Sequence, residues 1–260
     1  MSVDGDHHLP GPPETQEEWT RVRRKGRRGL GAGRPQTQTQ TEQSPATTAT
    51  PMPSAPCLSV SEIERDRQRL AGQWKSSICC RQLQELVASH GAESSISQAI
   101  CFGLGSFNPA DGAWEARRRA HLQLAAFLSI VEQMRTGHQQ SIRCFFQEPL
   151  FNSADREFLE SLGHQVVESP EGFGLVDSST MVFGIHLYRV VYSQALAKHT
   201  PAIFVGTPYD VWEDFHGSSD LNWSRMKELD QLCDKARFPE YHDDTIFSST
   251  SIHWRKGDTT

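Results

Sequence analysis

Ala99-Ile100-Cys101-Phe102-Gly103-Leu104-Gly105-Ser106-Phe107 joins four apolar residues to a turn with two glycines. A long amphipathic segment follows from about Asp111 to Met134, with Leu122, Leu124, Phe127, Leu128, Ile130 and Val131 as its apolar content. This order reads as strand, glycine turn, helix. The same alternation recurs downstream. Ile142-Arg143-Cys144-Phe145-Phe146 is strand-like, a short helix from Ser153 to Leu162 stops at Gly163, and Gln165-Val166-Val167 is a further strand. Thr180-Met181-Val182-Phe183, a helix from Leu187 to Lys198 and Ala202-Ile203-Phe204-Val205 complete the series. Apolar strands without polar alternation imply a sheet covered on both faces, and helices between them imply parallel crossovers. The predicted fold is therefore a three-layer, Rossmann-like α/β domain with a mostly parallel sheet. The segment Thr245 to Trp254 is expected to add an antiparallel edge hairpin.

Upstream of the quoted stretch, Ser59 or Ser61 can cap a helix carrying Ile63, Leu70 and Trp74, and a second helix runs from Arg81 to His90 before Gly91. Residues 1–56 are rich in Pro, Gly, Thr and Gln and have no periodic apolar face, so a disordered tail is expected there. Within it Arg21, Arg23, Arg24, Lys25, Arg27, Arg28 and Arg34 form a basic cluster after Trp19, which suits nuclear import, an anionic partner or plain solvation. The folded domain is placed at 57–260, with helices over 59–90 and the sheet core over about 97–254.

The first 56 residues hold seven basic and six acidic side chains, and the remainder holds 19 and 26. A body of net charge −7 argues against a nucleic-acid platform, because phosphate binding needs a basic surface. The cysteines Cys57, Cys79, Cys80, Cys101, Cys144 and Cys233 show neither a C-x-x-C pair nor zinc-site spacing, so reduced thiols are expected and no metal site is assigned. The polar start and the lack of a long apolar run lead us to expect no signal peptide and no membrane span, and a protein of the cytoplasm, the nucleus or both.

In an open parallel sheet, ligands collect at the C-terminal strand ends. Gly103, Gly105, Ser106 and Phe107 fall there after the first strand, and Glu148 and Pro149 after the second. His186 and Tyr188 follow the fourth, and Gly206, Thr207 and Tyr209 the fifth. The glycines permit close approach of a ligand to the backbone, and the helix beyond offers N–H groups to an anion. Asn108 stands where a dinucleotide fingerprint has its third Gly, and Glu148, a candidate for ribose hydroxyls, comes 45 residues after Gly103 rather than about 20. Binding of a nucleotide or S-adenosylmethionine and a plain packing turn both fit. His186 suits an acid/base, a metal or haem ligand, or a histidine bonded within its loop. No Ser-His-Asp order, nucleophile elbow or phosphate-loop Lys can be assembled, so no catalytic residue is assigned and a non-enzymatic role is expected. Asp155 is read as complementing its helix dipole, Trp114 with Arg117, Arg118 and Arg119 as the solvated side of a long helix, and Tyr188 with Tyr192 as packing.

These motifs, in order, resemble a known family. Cys101 to Phe107, Arg119 with Gln123-Leu124, Glu148-Pro149-Leu150-Phe151 with Asp155 and Leu159, His186-Leu187-Tyr188 and Gly206-Thr207-Pro208-Tyr209 are similar to the Sensitivity to Red Light Reduced family, over most of residues 95–254. Trp19 with its basic neighbours resembles the tail of other members. The family usually has Asp at the place of Glu148, Pro-His-Cys at Ile185-His186-Leu187 and Gly-Asn-Ser at Gly206-Thr207-Pro208. The resemblance implies a regulatory role linked to light and circadian signalling, haem metabolism or microtubule-related processes, with no agreed catalytic activity. Three readings follow: a regulatory protein with unidentified protein partners that senses a small molecule, a transferase of methyltransferase-like architecture, and a pure interaction module. The sequence names no cofactor.

Overall fold

The computed structural model describes residues 57–91, 95–138, 141–213, 224–242 and 245–257. The expected tail over 1–56, with its basic cluster, lies outside these residues. Helix α1 (Val60–Lys75) starts where Ser59 and Glu62 form a reciprocal capping box, which satisfies two backbone donors that the first turn leaves open. Ser77 Oγ accepts the Cys80 N–H at the start of α2 (Ile78–Gly91).

The sheet begins with β1 (Gln98–Phe102), whose five residues are all buried. Helix α3 (Trp114–His138) carries the chain to β2 (Arg143–Gln147), and α4 (Ser153–Ser161) carries it to β3 (Gln165–Val166). Gly163 at φ +82° ends that helical stretch, a conformation that is easy only without a Cβ. A one-turn helix α5 (Glu171–Gly174) leads to β4 (Thr180–Phe183), α6 (Arg189–Ala195) to β5 (Ile203–Gly206), and α7 (Tyr209–Glu213) and α8 (Ser224–Leu232) to β6 (Cys233–Arg237). A 3-10 turn over Thr245–Phe247 precedes β7 (Ser251–Arg255).

The strand order is β3-β2-β1-β4-β5-β7-β6. β3, β2, β1, β4 and β5 are parallel neighbours, and β7 runs antiparallel to both β5 and β6. Order therefore reverses between β1 and β4, the position at which such sheets open a crevice. Alternation along β1 assigns the layers. Ala99 and Cys101 join the core made with α1 to α4, whereas Ile100 and Phe102 join the core made with α5, α6 and α8, as a period of two requires.

Two expectations are corrected, and one strand is added. The C-terminal segment is not an edge hairpin: β7 is inserted between β5 and β6, and residues 245–247 are helical. Its outer partner β6 went unseen because Asp234, Lys235 and Arg237 hide the strand pattern. Charged residues are what an unpaired sheet edge needs to avoid pairing with another chain. The helix expected from Leu187 starts only at Arg189, because Leu187 is held in the sheet layer and His186 takes a left-handed conformation, φ 55°.

Candidate functional site

The parallel strands bring the sequence-selected residues to one edge, where they form two differently built halves. Around β1 and β2 the half is polar. Gly103 and Gly105 both have positive φ, +66° and +81°, so the turn depends on residues without a Cβ. The Gly105 N–H donates to Glu148 Oε2 at 2.9 Å, and the Leu150 N–H donates to Glu148 Oε1 at 2.9 Å. The carboxylate thus ties the glycine turn to the end of β2.

Beneath it, fully buried Asp155 holds the rest of the turn. Its Oδ2 accepts the Ser106 hydroxyl at 2.7 Å and the Asn152 N–H at 3.0 Å, and its Oδ1 accepts the Phe107 N–H at 3.0 Å. Burial pushes this carboxyl above its usual range, against the pull of the bonds from Ser106, Asn152 and Phe107. Asn152 returns the cap through the Ala154 and Asp155 N–H groups. It also reaches the Asn108 carbonyl at 3.0 Å, and Asn108 Oδ1 in turn accepts the Leu58 N–H at 3.1 Å. At the position of the fingerprint's third glycine the chain thus has a side-chain bracket instead. Phe107 is fully buried and packs among His121, Phe151 and Phe158, stacked on Phe151 and edge-on to Phe158.

Around β4 and β5 the half is packed. A Cβ on Gly103 would lie 2.1 Å from Leu187 Cδ2, and one on Gly184 would lie 2.3 Å from Leu187 Cδ1. Leu187 therefore fills the crevice between the ends of β1 and β4. Tyr192, fully buried, donates to the Gly184 carbonyl at 2.7 Å and accepts the Thr207 N–H at 3.1 Å. Its ring lies so close to Gly206 that a Cβ there would meet Tyr192 Cε1 at 2.9 Å, Phe204 Cζ at 2.8 Å and the Gly184 carbonyl at 3.0 Å.

Other selected residues take individual places. His186 is exposed, and its Nε2 lies 2.7 Å from the Ser248 carbonyl, the loop bond that was one of its three readings. Tyr188 is 83% exposed at the same edge, Leu150 is 72% exposed and Pro149 is exposed beside it. Tyr209 is half-buried against the core of the α6 side. Glu148, His186 and Tyr209 share the edge, but each side chain turns to a different neighbour. Trp114 is not simply solvated: it is half-buried, with the guanidinium groups of Arg69 and Arg117 4.9 and 4.8 Å from its ring. Among the described residues no group of three or more His, Cys, Asp or Glu side chains is placed to hold a metal, and no helix is long and apolar enough to cross a membrane.

The sequence undervalued Asp155, Leu187 and Tyr192. The spacing Asn152-x-x-Asp155 is a capping signal, and a cap lying beside a glycine turn was the available clue to Asp155. Leu187 and Tyr192 carry no such signal, since their roles arise from what they face.

A mainly parallel sheet with helices on both faces and a glycine turn where strand order reverses defines a Rossmann-like α/β protein. The family model for the SRR1 domain matches residues 79–254, and the chain belongs to that family, as its motifs lead one to expect. Solved structures similar to the chain include a methyltransferase from Geobacter sulfurreducens, at 8% identity over 75% of this chain and 89% of that one, TM-score 0.38. Another is Thermoplasma acidophilum 1320, at 9% identity over 75% of this chain and 98% of that one, TM-score 0.35. Among curated proteins none matches.

Proposed function

We propose that this chain is a regulatory protein whose Rossmann-like domain senses a small ligand of the nucleoside class at the β1–β2 half of the strand-end rim. The observation that carries the reading is the Glu148 carboxylate bonded to the Gly105 N–H at the reversal of strand order. A carboxylate has about four acceptor positions, and each oxygen of Glu148 receives one backbone N–H. One position on each oxygen is left for vicinal hydroxyls, the chemistry of a ribose. Exposed Tyr188, Pro149 and Leu150 supply apolar surface on the same rim for a base to lie against.

The processes linked with the family (light and circadian signalling, haem metabolism and microtubule-related functions) are the setting we assign, with action in the cytoplasm and nucleus through unidentified protein partners. Thermal-shift and calorimetric titration with adenosine, ATP, S-adenosylmethionine, S-adenosylhomocysteine and haem tests the ligand. Stabilisation by an adenosine-containing compound is expected. It should persist in Glu148→Asp, which restores the family's residue, and be lost in Glu148→Ala. A folded protein that none of these compounds stabilises would overturn the ligand reading.

The same turn and carboxylate favour a second reading, a transferase that binds S-adenosylmethionine. It fails if Gly105→Arg, which forces a large side chain into φ +81°, leaves S-adenosylmethionine affinity unchanged. Removing residues 1–56 separates both readings from a tail-driven interaction module, which would lose its partner while ligand binding survives.

A further inference from the structure

We propose that the cavity at the N-terminal ends of β2 and β3 is a second ligand site, for a small amphipathic anion: an apolar body bearing one carboxylate, sulfonate or phosphate. The cavity measures about 870 Å³ and is walled by α1, α3 and the starts of the two strands, a volume typical of small-molecule sites. It opens at the other end of the parallel strands from Gly105 and Glu148, and approaches the rim only at His121, whose ring packs on Phe107.

Its walls combine two chemistries. Leu124, Leu128 and Leu162 give it an apolar lining. Arg67, Lys75, Arg135 and Arg143 bring four cations against the single carboxylate of Glu132, and Arg143 donates to Gln98 Oε1 at 3.4 Å. Arg67 is bonded to Glu64, whereas Arg135 meets Glu132 only at 3.7 Å with half of its side chain in solvent. Among the described residues Lys75 has no ion-pair partner. The positions of the two freer cations register on the cavity's thiols and imidazole. Arg135 opposes the burial that pushes the Cys144 thiol up to about 11 and adds to the burial that lowers His164, and Lys75 acts likewise on Cys80. This locally positive lining stands out from residues 57–260, whose net charge is −7.

A second observation points to a ligand. His121 lines the cavity at 1% exposure, and neither of its ring nitrogens has a hydrogen-bond partner. Buried polar groups are normally paired. An imidazole kept neutral by burial is a hydrogen-bond donor without a charge of its own. An anionic head beside Lys75 and Arg135, with its body on the leucines, uses the cations and the apolar lining. A neutral apolar ligand would leave the cations unused.

The probe is 1-anilinonaphthalene-8-sulfonate, titrated by fluorescence into the full chain. Dodecanoate and 2-naphthoate serve as aliphatic and aromatic anionic competitors, and dodecanol as the uncharged control. Saturable single-site binding is expected, displaced by at least one of the anions and at least about tenfold less well by dodecanol. The double variant Lys75→Glu/Arg135→Glu should weaken the probe about tenfold or more, with near-ultraviolet circular dichroism unchanged. Glu132→Gln, which removes the opposing charge, should tighten it. Equal displacement by dodecanol, or unaltered affinity in the folded double variant, would overturn the proposal. Should that variant not fold, a Glu132→Gln protein that binds no tighter has the same consequence.

Discussion

The two halves of the strand-end rim are held by opposite means. On the β1–β2 side two carboxylates, Glu148 and Asp155, collect backbone N–H groups and fix the shape of the glycine turn. On the β4–β5 side a phenol and an isobutyl group press against Gly184, Gly103 and Gly206, and space rather than hydrogen bonding dictates the residues. The polar half is tied by buried carboxylates, and the packed half has closed over its own glycines. The ligand recognition proposed above rests on the first half, with the second as the packed wall behind it.

The largest test of this contrast is Asp155→Ala. It leaves the Ser106 hydroxyl and the Phe107 and Asn152 N–H groups without their acceptor in a buried place, and a loss of about 4 kcal/mol in denaturant unfolding is expected. A loss below about 1 kcal/mol would mean that the turn holds its shape without the carboxylate.

Acid provides the next test, since each half rests on one buried neutral histidine. His121 packs on Phe107, and His253 packs on Phe204. Burial lowers both to about 4, and the Asp230 carboxylate, 3.8 Å from His253, offsets only part of that. With folded values below the unfolded 6.5, the unfolded chain binds more protons. Stability is thus complete above about pH 6.5 and is lost as pH falls toward 4. Each histidine is expected to account for about 2 kcal/mol of the loss at pH 5. Equilibrium unfolding of His121→Phe and of the parent chain between pH 7 and pH 5 measures the first share, which should disappear in the variant.

On the packed half, Gly206→Ala forces contacts of 2.8 to 3.0 Å with Phe204, Tyr192 and the Gly184 carbonyl, at an expected cost of about 2 kcal/mol in the urea midpoint. Tyr192→Phe keeps the ring but leaves the Gly184 carbonyl and the Thr207 N–H without the phenol. About 1 kcal/mol is expected there. If this small change also abolished ligand binding, the back wall would be part of the recognition surface and the contrast between the halves would have to be redrawn.

Much of this was legible in the chain. Alternating apolar runs and capped amphipathic segments located five strands and five helices within a few residues, because burial on both sheet faces leaves an unbroken apolar signature. The glycine turn and Glu148 were found for the same kind of reason, since they sit where a strand run ends. Strand β6 was not found, because its side chains answer to solvent and to the need to protect an edge. Asp155 was underrated, because a helix-capping carboxylate looks the same in sequence whether or not a second loop leans on it.

By itself, then, the sequence determined the layered α/β class, the family, and the residues that stand at the strand ends. These follow from local periodicity and from short motifs whose backbone demands are intrinsic to the residues. The tertiary structure alone decided that Glu148 bonds Gly105, that Leu187 occupies the crevice between β1 and β4, that β7 enters the sheet inside β6, and that cations and an unpartnered imidazole line a cavity at the far strand ends. Each of those depends on side chains distant along the chain meeting at angstrom separations, and such meetings are fixed by strand order and packing, which no local pattern encodes.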